Sequence, residues 1–430
     1  MIERYEVAEI KKIWNEEEKF NTYLEVEVAH LQTLEEDGII QVGTADKISK
    51  AKINPARIAE IEMVTNHDVI AFCSSITEQF SHNEGTFFHF GITSSDIIDT
   101  AHALLIRKSI QVIEDDLRAL RKVLWEKAIE TKDLLAIGRS HGISAEAMIF
   151  GQKFLSFVSE LDRSIEDLKK IQTNLTGQMS GAVGNYTVVT PEQEKRTLTR
   201  LNLHVEKVST QVIPRDHYAR IISIGGLIGT LLERMAVEFR LLQHSDIDEV
   251  KEGFSKGQKG SSTMPHKKNP ISSENITGIA RILRSHLNPI LESCVLWHER
   301  DISHSSVERI IFPDHFTLLA FGLRRMRKVV HDLVIDRNKI ESKALSDEKI
   351  FSSYVLHQLL LLNEGTKREI LYEAVQKTFF ESNSKEELQK NLKDTLEMNK
   401  FKHDVPSWLK IENLRMHYVH QFEKVLKRCE

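Results

Sequence analysis

Proline is the first thing this sequence is short of. It has eight, and none falls between Pro55 and Pro191. That interval is filled with Leu, Ile, Glu, Lys and Ala at helical spacing, which excludes a run of short strands and turns there. Sustained apolar–polar alternation ending in hairpin turns is missing too, so the expected fold class is all-α. Cysteine is scarce. Cys73, Cys294 and Cys429 are an odd number without metal-ligand spacing, which excludes a disulfide framework, implies no metal site and suits a reducing compartment. No apolar run approaches the roughly 20 residues of a membrane span. Met1-Ile2-Glu3-Arg4-Tyr5 does not read as a signal peptide, so the expected location is the cytoplasm. A formal net charge of −5 gives no global attraction to nucleic acid or to an anionic membrane. An anionic ligand must therefore be held by local basic groups. At 430 residues the chain can form two or three domains.

What is present is mostly helix. Residues 6–37 read as one or two amphipathic helices with Trp14, Leu24, Val28, Leu31 and Leu34 near one stripe and Gly38 as a stop. Arg4 and Tyr5 precede them in an irregular arm. Further helices are expected from near Asp96, over about 111–132 and over about 145–174. The longest is expected from Asp216 to Val250, where Ile221, Ile224, Ile228, Leu231, Met235, Phe239 and Leu242 step by threes and fours. Ile222, Leu227, Leu232 and Leu241 lie off that stripe, and a helix apolar on several sides needs cover on several sides. Subunit association would supply it. A helix over about 272–297 should kink at Pro289, another should follow Pro313, and residues 365–430 read as a polar helical region.

The most informative stretch runs from Glu252 to Glu274. Gly253, Gly257 and Gly260 break any helix, Ser261 and Ser262 follow, and Pro265 and Pro270 bracket His266, Lys267, Lys268 and Asn269. A mobile hydroxyl beside cations and amide donors suits proton abstraction. The same composition also makes a solvated basic loop. Elsewhere, Asn66-His67-Asp68 fits either a helix edge, with His67 against a backbone carbonyl, or a pocket group titrating near neutrality. Thr93, Ser94 and Ser95 can cap the next helix or hold a carboxylate at its positive end. His141, between Gly138 and Gly142, fits a structural or a ligand-facing role. Gly177, Gly181 and Gly184 lack the Gly-Lys-Ser/Thr ending and the preceding strand of a nucleoside triphosphate loop, and read as a tight connection. Arg300, Ser305 and Arg309 offer guanidinium forks and a hydroxyl that suit phosphate, or a surface ion-pair cluster with Glu299, Asp301 and Glu308.

The run from Gly260 to Pro270, Gly-Ser-Ser-Thr-Met-Pro-His-Lys-Lys-Asn-Pro, with Glu274 after it, resembles the signature of the fumarase/aspartase superfamily. Arg4-Tyr5, His67-Asp68, Thr93-Ser94, His141, Gln211 and the Ser303–Arg309 run Ser-His-Ser-Ser-Val-Glu-Arg fall in the order of one of its branches. Over nearly its whole length the chain is similar to the adenylosuccinate lyase family. That resemblance implies an all-α, three-domain subunit with a long central helical bundle, divided at 1–110, 111–364 and 365–430. It implies a homotetramer whose active sites are each shared by three subunits, and no cofactor. It implies β-elimination of fumarate from adenylosuccinate and from the succinylocarboxamide ribotide of purine synthesis. Ser261 would be the base, and Lys267 and Asn269 would hold the developing dianion. His141, oriented by Glu274, would be the acid. His67, counted with the catalytic residues, and Asp68, Thr93, Ser94 and Gln211 would position the base and the succinyl group, and Asn66 would contact the substrate. Arg4, Tyr5, Arg300, Ser305 and Arg309 would bind the nucleotide end. Residues from about 253 to 264 are expected to become protected when ligand binds.

Ser140, Ser144, Ala147 and Asn275 depart from the commonest family pattern without removing a catalytic group. Argininosuccinate lyase, fumarase and carboxymuconate cycloisomerase are the rival relatives, and the Arg-Tyr arm and the arginine cluster favour a nucleotide over their substrates. A non-catalytic helical protein of this fold would have no use for serine, histidine, lysine and asparagine together.

Overall fold

The computed structural model describes residues 2–430 except 255, 256, 258–262, 265, 363, 364, 383 and 399–410. Helices dominate it, and their limits follow from where breakers stand. Ser94–Glu130 contains neither glycine nor proline and is one helix, where separate helices from near Asp96 and from 111 were expected. At 1.5 Å per residue it is about 55 Å long. Ile97, Ala101, Leu104, Ile110, Ile113, Leu117, Leu120, Leu124 and Ala128 are buried along it at helical spacing. Near the N-terminus the single stretch over 6–37 resolves into Ala8–Ile13 and Glu16–Glu36. Asn15 caps the second of these with its side chain, and Gly38 leaves it at positive φ.

The helix expected from 145 begins later, at Gly151. Leu135–Ser140 and Ile143–Ile149 form an antiparallel hairpin instead. His141 and Gly142 close it with φ of 54° and 78°, the doubly left-handed turn that matches the twist of paired strands. Ala, Glu and Met in the second strand favour helix by propensity, yet packing overrides them. Leu135, Ile137 and Ala147 are buried in one core with Phe351, Val355 and Leu359.

The long helix from Asp216 ends at Leu242 rather than 250. Val250–Lys251 instead pairs with Val334–Ile335 as a short antiparallel ladder. The expected kinked helix over 272–297 is broken into Ile271–Ser285 and Leu287–Glu292. Pro289 accounts for the break, since it has no N–H for the carbonyl of Ser285 and its ring crowds that carbonyl. Pro313 does not start a helix but lies inside Ser303–His331. That places Ser305 and Arg309 one turn apart on a helix.

Two compact units emerge. The first comprises Met1–Leu120, Leu161–Arg234 and Asn275–Met326. Its core includes Trp14 stacked on Phe316 at 6.1 Å, with Phe312 at 5.9 Å from Trp14 and 5.0 Å from Tyr218. The Trp14 indole N–H donates to Ser109 Oγ at 2.9 Å, satisfying its one polar atom. The second unit comprises Arg121–Glu160, Met235–Glu274 and Arg327–Glu430, and holds the hairpin and the core around Phe351. Among the described residues no helix is long and apolar enough to cross a membrane.

Candidate active site

Helical spacing on Ser303–His331 creates two adjacent faces in the first unit. His304 and Glu308, four apart, are each only 2% exposed. Ser305 and Arg309, also four apart, line a cavity of about 270 Å³ together with Asp68 and Arg300. Arg309 donates from Nη2 to Asp68 Oδ2 at 2.5 Å and from Nε to Ser305 Oγ at 3.3 Å. Arg300 donates from Nη1 to Gln211 Oε1 at 2.9 Å and from Nε to His304 Nε2 at 3.3 Å. Asp68, Ser305 and Arg309 thus form one hydrogen-bonded group and Arg300 with Gln211 another, both reaching the same cavity. The alternative of a surface ion-pair cluster fails here, because Glu308 is buried and accepts from Arg215 Nε at 3.0 Å. Asp301 accepts the backbone N–H groups of Trp297 and Ser303 at 2.8 and 2.9 Å.

Lys19 is a cavity cation that sequence reasoning passed over. Its ammonium sits 4.2 Å from the centre of the Phe20 ring, and burial pulls its pKa down although Asp68 opposes the shift. Its only sequence signal is one lysine before Phe20 in an acidic helix start.

His67 caps the Asp68–Thr77 helix, where its Nδ1 accepts the Ile70 N–H at 3.3 Å. The contact is to an N–H rather than the expected carbonyl, and it leaves the proton on Nε2. Asn66 ends the preceding helix in the left-handed region at φ 50°. Thr93 and Ser94 stand at the start of Ser94–Glu130, but Asp96 does the capping. Its fully buried carboxylate accepts from the backbone N–H groups of Thr93, Ser180 and Gly181 at 2.8, 3.0 and 3.1 Å. Burial pushes that carboxyl up to about 6 against the pull of those three donors. Asp96 thereby ties the Thr93 turn to the 177–184 connection. From that connection Ala182 O accepts the Gln211 side-chain amide at 2.8 Å, which aims the other end of Gln211 at Arg300. Arg4 is exposed in a short turn, Glu3–Tyr5. Tyr5 packs edge-on to Phe321 at 4.9 Å, and its hydroxyl accepts from Asn275 Nδ2 at 3.2 Å.

In the second unit His141 is exposed at the hairpin tip. Beside it in sequence, Arg139 is paired with the buried Glu249 at 2.5 Å. Ser261, the anticipated base, lies outside the described residues, as do Ser262 and much of the stretch expected to reorder. Lys267 and Glu274 are exposed and Asn269 is half-buried. Both ends of the signature stretch meet Glu252. Its carboxylate accepts from Ser272 N at 3.2 Å, Ser273 N at 2.7 Å and Ser273 Oγ at 2.5 Å. It therefore caps the Ile271–Ser285 helix, where unpaired N–H groups and the positive helix end favour an anion. The Glu252 N–H donates to Gln243 Oε1 at 2.9 Å, and Gln243 Nε2 donates to Lys268 O at 3.1 Å. Neither Glu252 nor Gln243 carries a motif signal that would have marked it. Elsewhere, Glu27, Cys73 and His89 bring donor atoms within 4.8 Å of one another. Glu27, which is buried, and His89, which is half-buried, already bond to each other at 2.8 Å.

The cavity carries both signs, with Lys19, Arg300 and Arg309 beside Glu16, Asp68, Asp99 and Glu308, and the lyase family model matches residues 4–283. The fold is similar to that of fumarate lyase from Mesorhizobium sp. BNC1, with a TM-score of 0.84 at 20% identity over 99% of each chain. It is also similar to β-carboxy-cis,cis-muconate cycloisomerase from Acinetobacter calcoaceticus sp. ADP1, with a TM-score of 0.82 at 19% identity over 98% of this chain and 97% of that one. Closer sequences narrow the class. Adenylosuccinate lyase from Thermotoga maritima is 40% identical over 99% of this chain and 100% of its own. The Helicobacter pylori enzyme is 45% identical over 87% and 86%, and the Aquifex aeolicus enzyme 41% over 92% and 91%. The chain belongs to the adenylosuccinate lyase family.

Proposed function

We propose that this enzyme splits adenylosuccinate into AMP and fumarate, and the succinylocarboxamide ribotide into its aminoimidazole carboxamide and fumarate. The observation that carries the reading is 40% identity to an adenylosuccinate lyase over 99% of the chain. In the reaction Ser261 removes a proton from the succinyl carbon next to a carboxylate. The electron pair left there expels the nitrogen as the C–N bond breaks, and His141 returns a proton to that nitrogen. Lys267 and Asn269 stabilise the dianionic carboxylate as charge builds on it, and Glu274 orients His141. Asn66, His67, Asp68, Thr93, Ser94 and Gln211 hold the succinyl end. Arg4, Tyr5, Arg300, Ser305 and Arg309 hold the nucleotide and its phosphate.

The same reading makes the enzyme a cytoplasmic homotetramer with sites shared between subunits and domains divided near residues 110 and 364. Purified protein mixed with adenylosuccinate should yield AMP and fumarate in equal amounts. Release of fumarate from argininosuccinate instead would replace this substrate with that one.

A further inference from the structure

Beside Arg300 lies a chain of buried groups, of which Asp99, His304 and Glu308 also line the cavity. Arg215, 3% exposed, grips Asp99 with both Nη atoms at 2.7 and 2.8 Å and donates from Nε to Glu308 at 3.0 Å. Its Nη1 also donates to Ile213 O at 2.7 Å. Glu308 Oε2 lies 3.2 Å from His304 Nδ1, and His304 Nε2 lies 3.3 Å from Arg300 Nε. The order is Asp99, Arg215, Glu308, His304, Arg300.

Arg300 Nε carries a hydrogen, so in that contact Nε2 of His304 is the acceptor. The Nδ1 of His304 faces two groups, the Glu308 carboxylate at 3.2 Å and Arg215 Nη2 at 3.1 Å, which gives one of its two hydrogens to Asp99 Oδ1 at 2.8 Å and has the other for this contact. With Nε held by His304 and Nη1 by Gln211, the Arg300 fork has one orientation at the wall of the cavity it lines with Ser305 and Arg309. Arginine loses less freedom on binding when its plane is fixed in advance.

We infer that His304, held between Arg215 and Glu308, is the positioning residue that presents Arg300 to a phosphate monoester in this cavity. The inference rests on the nucleotide reading above but adds a residue to it. Such a role is distinct from a structural one, because its loss is felt by the phosphate alone.

The test compares wild type, His304→Ala and His304→Gln as assembled enzymes. Glutamine can accept from Arg300 with its oxygen while donating to Glu308 with its amide. AMP and adenosine are each measured as inhibitors of fumarate release. In His304→Ala, KM for adenylosuccinate and the AMP inhibition constant should rise about tenfold, the scale of one charge-assisted hydrogen bond. Adenosine inhibition and kcat should stay within about threefold of wild type. His304→Gln should recover most of the AMP affinity. If His304→Ala does not fold, His304→Leu fills the space without an acceptor and should show the same AMP-selective loss. Equal losses for AMP and adenosine overturn the inference, as does a glutamine variant no better than alanine. Wild-type enzyme that releases fumarate yet binds AMP no better than adenosine also overturns it, with the reaction intact. Absence of fumarate release from wild type counts against the reaction itself.

Discussion

A serine hydroxyl is a weak base, so the proposed role of Ser261 depends on cations that favour its alkoxide and on a reaction in which it acts only at the transition state. Ser261→Ala should therefore lower kcat by about a thousandfold, within the span usual for a positioned acid or base, while KM changes little. Ser262→Ala should lose much less. Steady-state assays of both variants decide it, and a larger loss at Ser262 would move the base by one residue. A second single-residue effect concerns stability. Burial pulls the fully enclosed His315 down to about 3, and the neighbouring His286 adds to the shift. The unfolded chain accepts a proton near 6.5 that the folded chain refuses, so this contribution is whole above 6.5 and is lost as pH falls toward 3. Asp96, raised to about 6 by burial, acts in the opposite sense, costing stability as pH rises from about 4 to 6. His315→Gln should flatten the fall of the thermal midpoint between pH 6.5 and 5. An unchanged slope in that variant would show that other groups set the acid limit.

At the scale of elements, contacts decide what glycine is for. A Cβ on Gly225 would lie 1.9 Å from His315 Nε2, whereas one on Gly226 meets nothing nearer than Arg284 Cα at 4.0 Å. Gly225→Ala should cost about 1–3 kcal/mol through overpacking. Its neighbour Gly226→Ala should be neutral or gain up to about 1 kcal/mol from helix propensity. Urea unfolding of the two variants measures the difference, and equal effects would mean the His315 contact yields without cost. Elements are also where reading the sequence succeeded and failed. Helices were legible where a breaker stands at an end, as at Gly38, and less so where one lies inside, as Pro313 does in Ser303–His331. The 135–149 hairpin was not, because its second strand is built from helix-favouring residues and is held by a distant core. Site residues stood out where chemistry demands uncommon types together, as in Lys267, Lys268 and Asn269. Asp96, Glu252 and Arg215 escaped notice because a buried carboxylate or guanidinium has no local signature. Its partners are backbone N–H groups or side chains brought in by folding.

At the scale of the whole molecule, the long helices leave apolar side chains in the open. Leu227 is 61% exposed, Leu241 54% and Ile310 64%. In the proposed homotetramer, further copies of the chain would cover them. A shared site then becomes testable without a structure of the assembly. If His141 and Ser261 of one site come from different subunits, His141→Ala and Ser261→Ala enzymes are each inactive for reasons that subunit exchange can separate. In a one-to-one mixture, each position of a site is filled by an intact residue half the time. About a quarter of the sites then have both residues, with the others lacking one or both. Mixing the two variants under conditions that permit exchange should restore activity approaching a quarter of wild type, with mass measurement of differently tagged subunits proving that exchange occurred. Activity that stays at the level of the parents despite complete exchange would assign both residues to one chain. The shared-site assembly would then have to draw its partner residues from elsewhere.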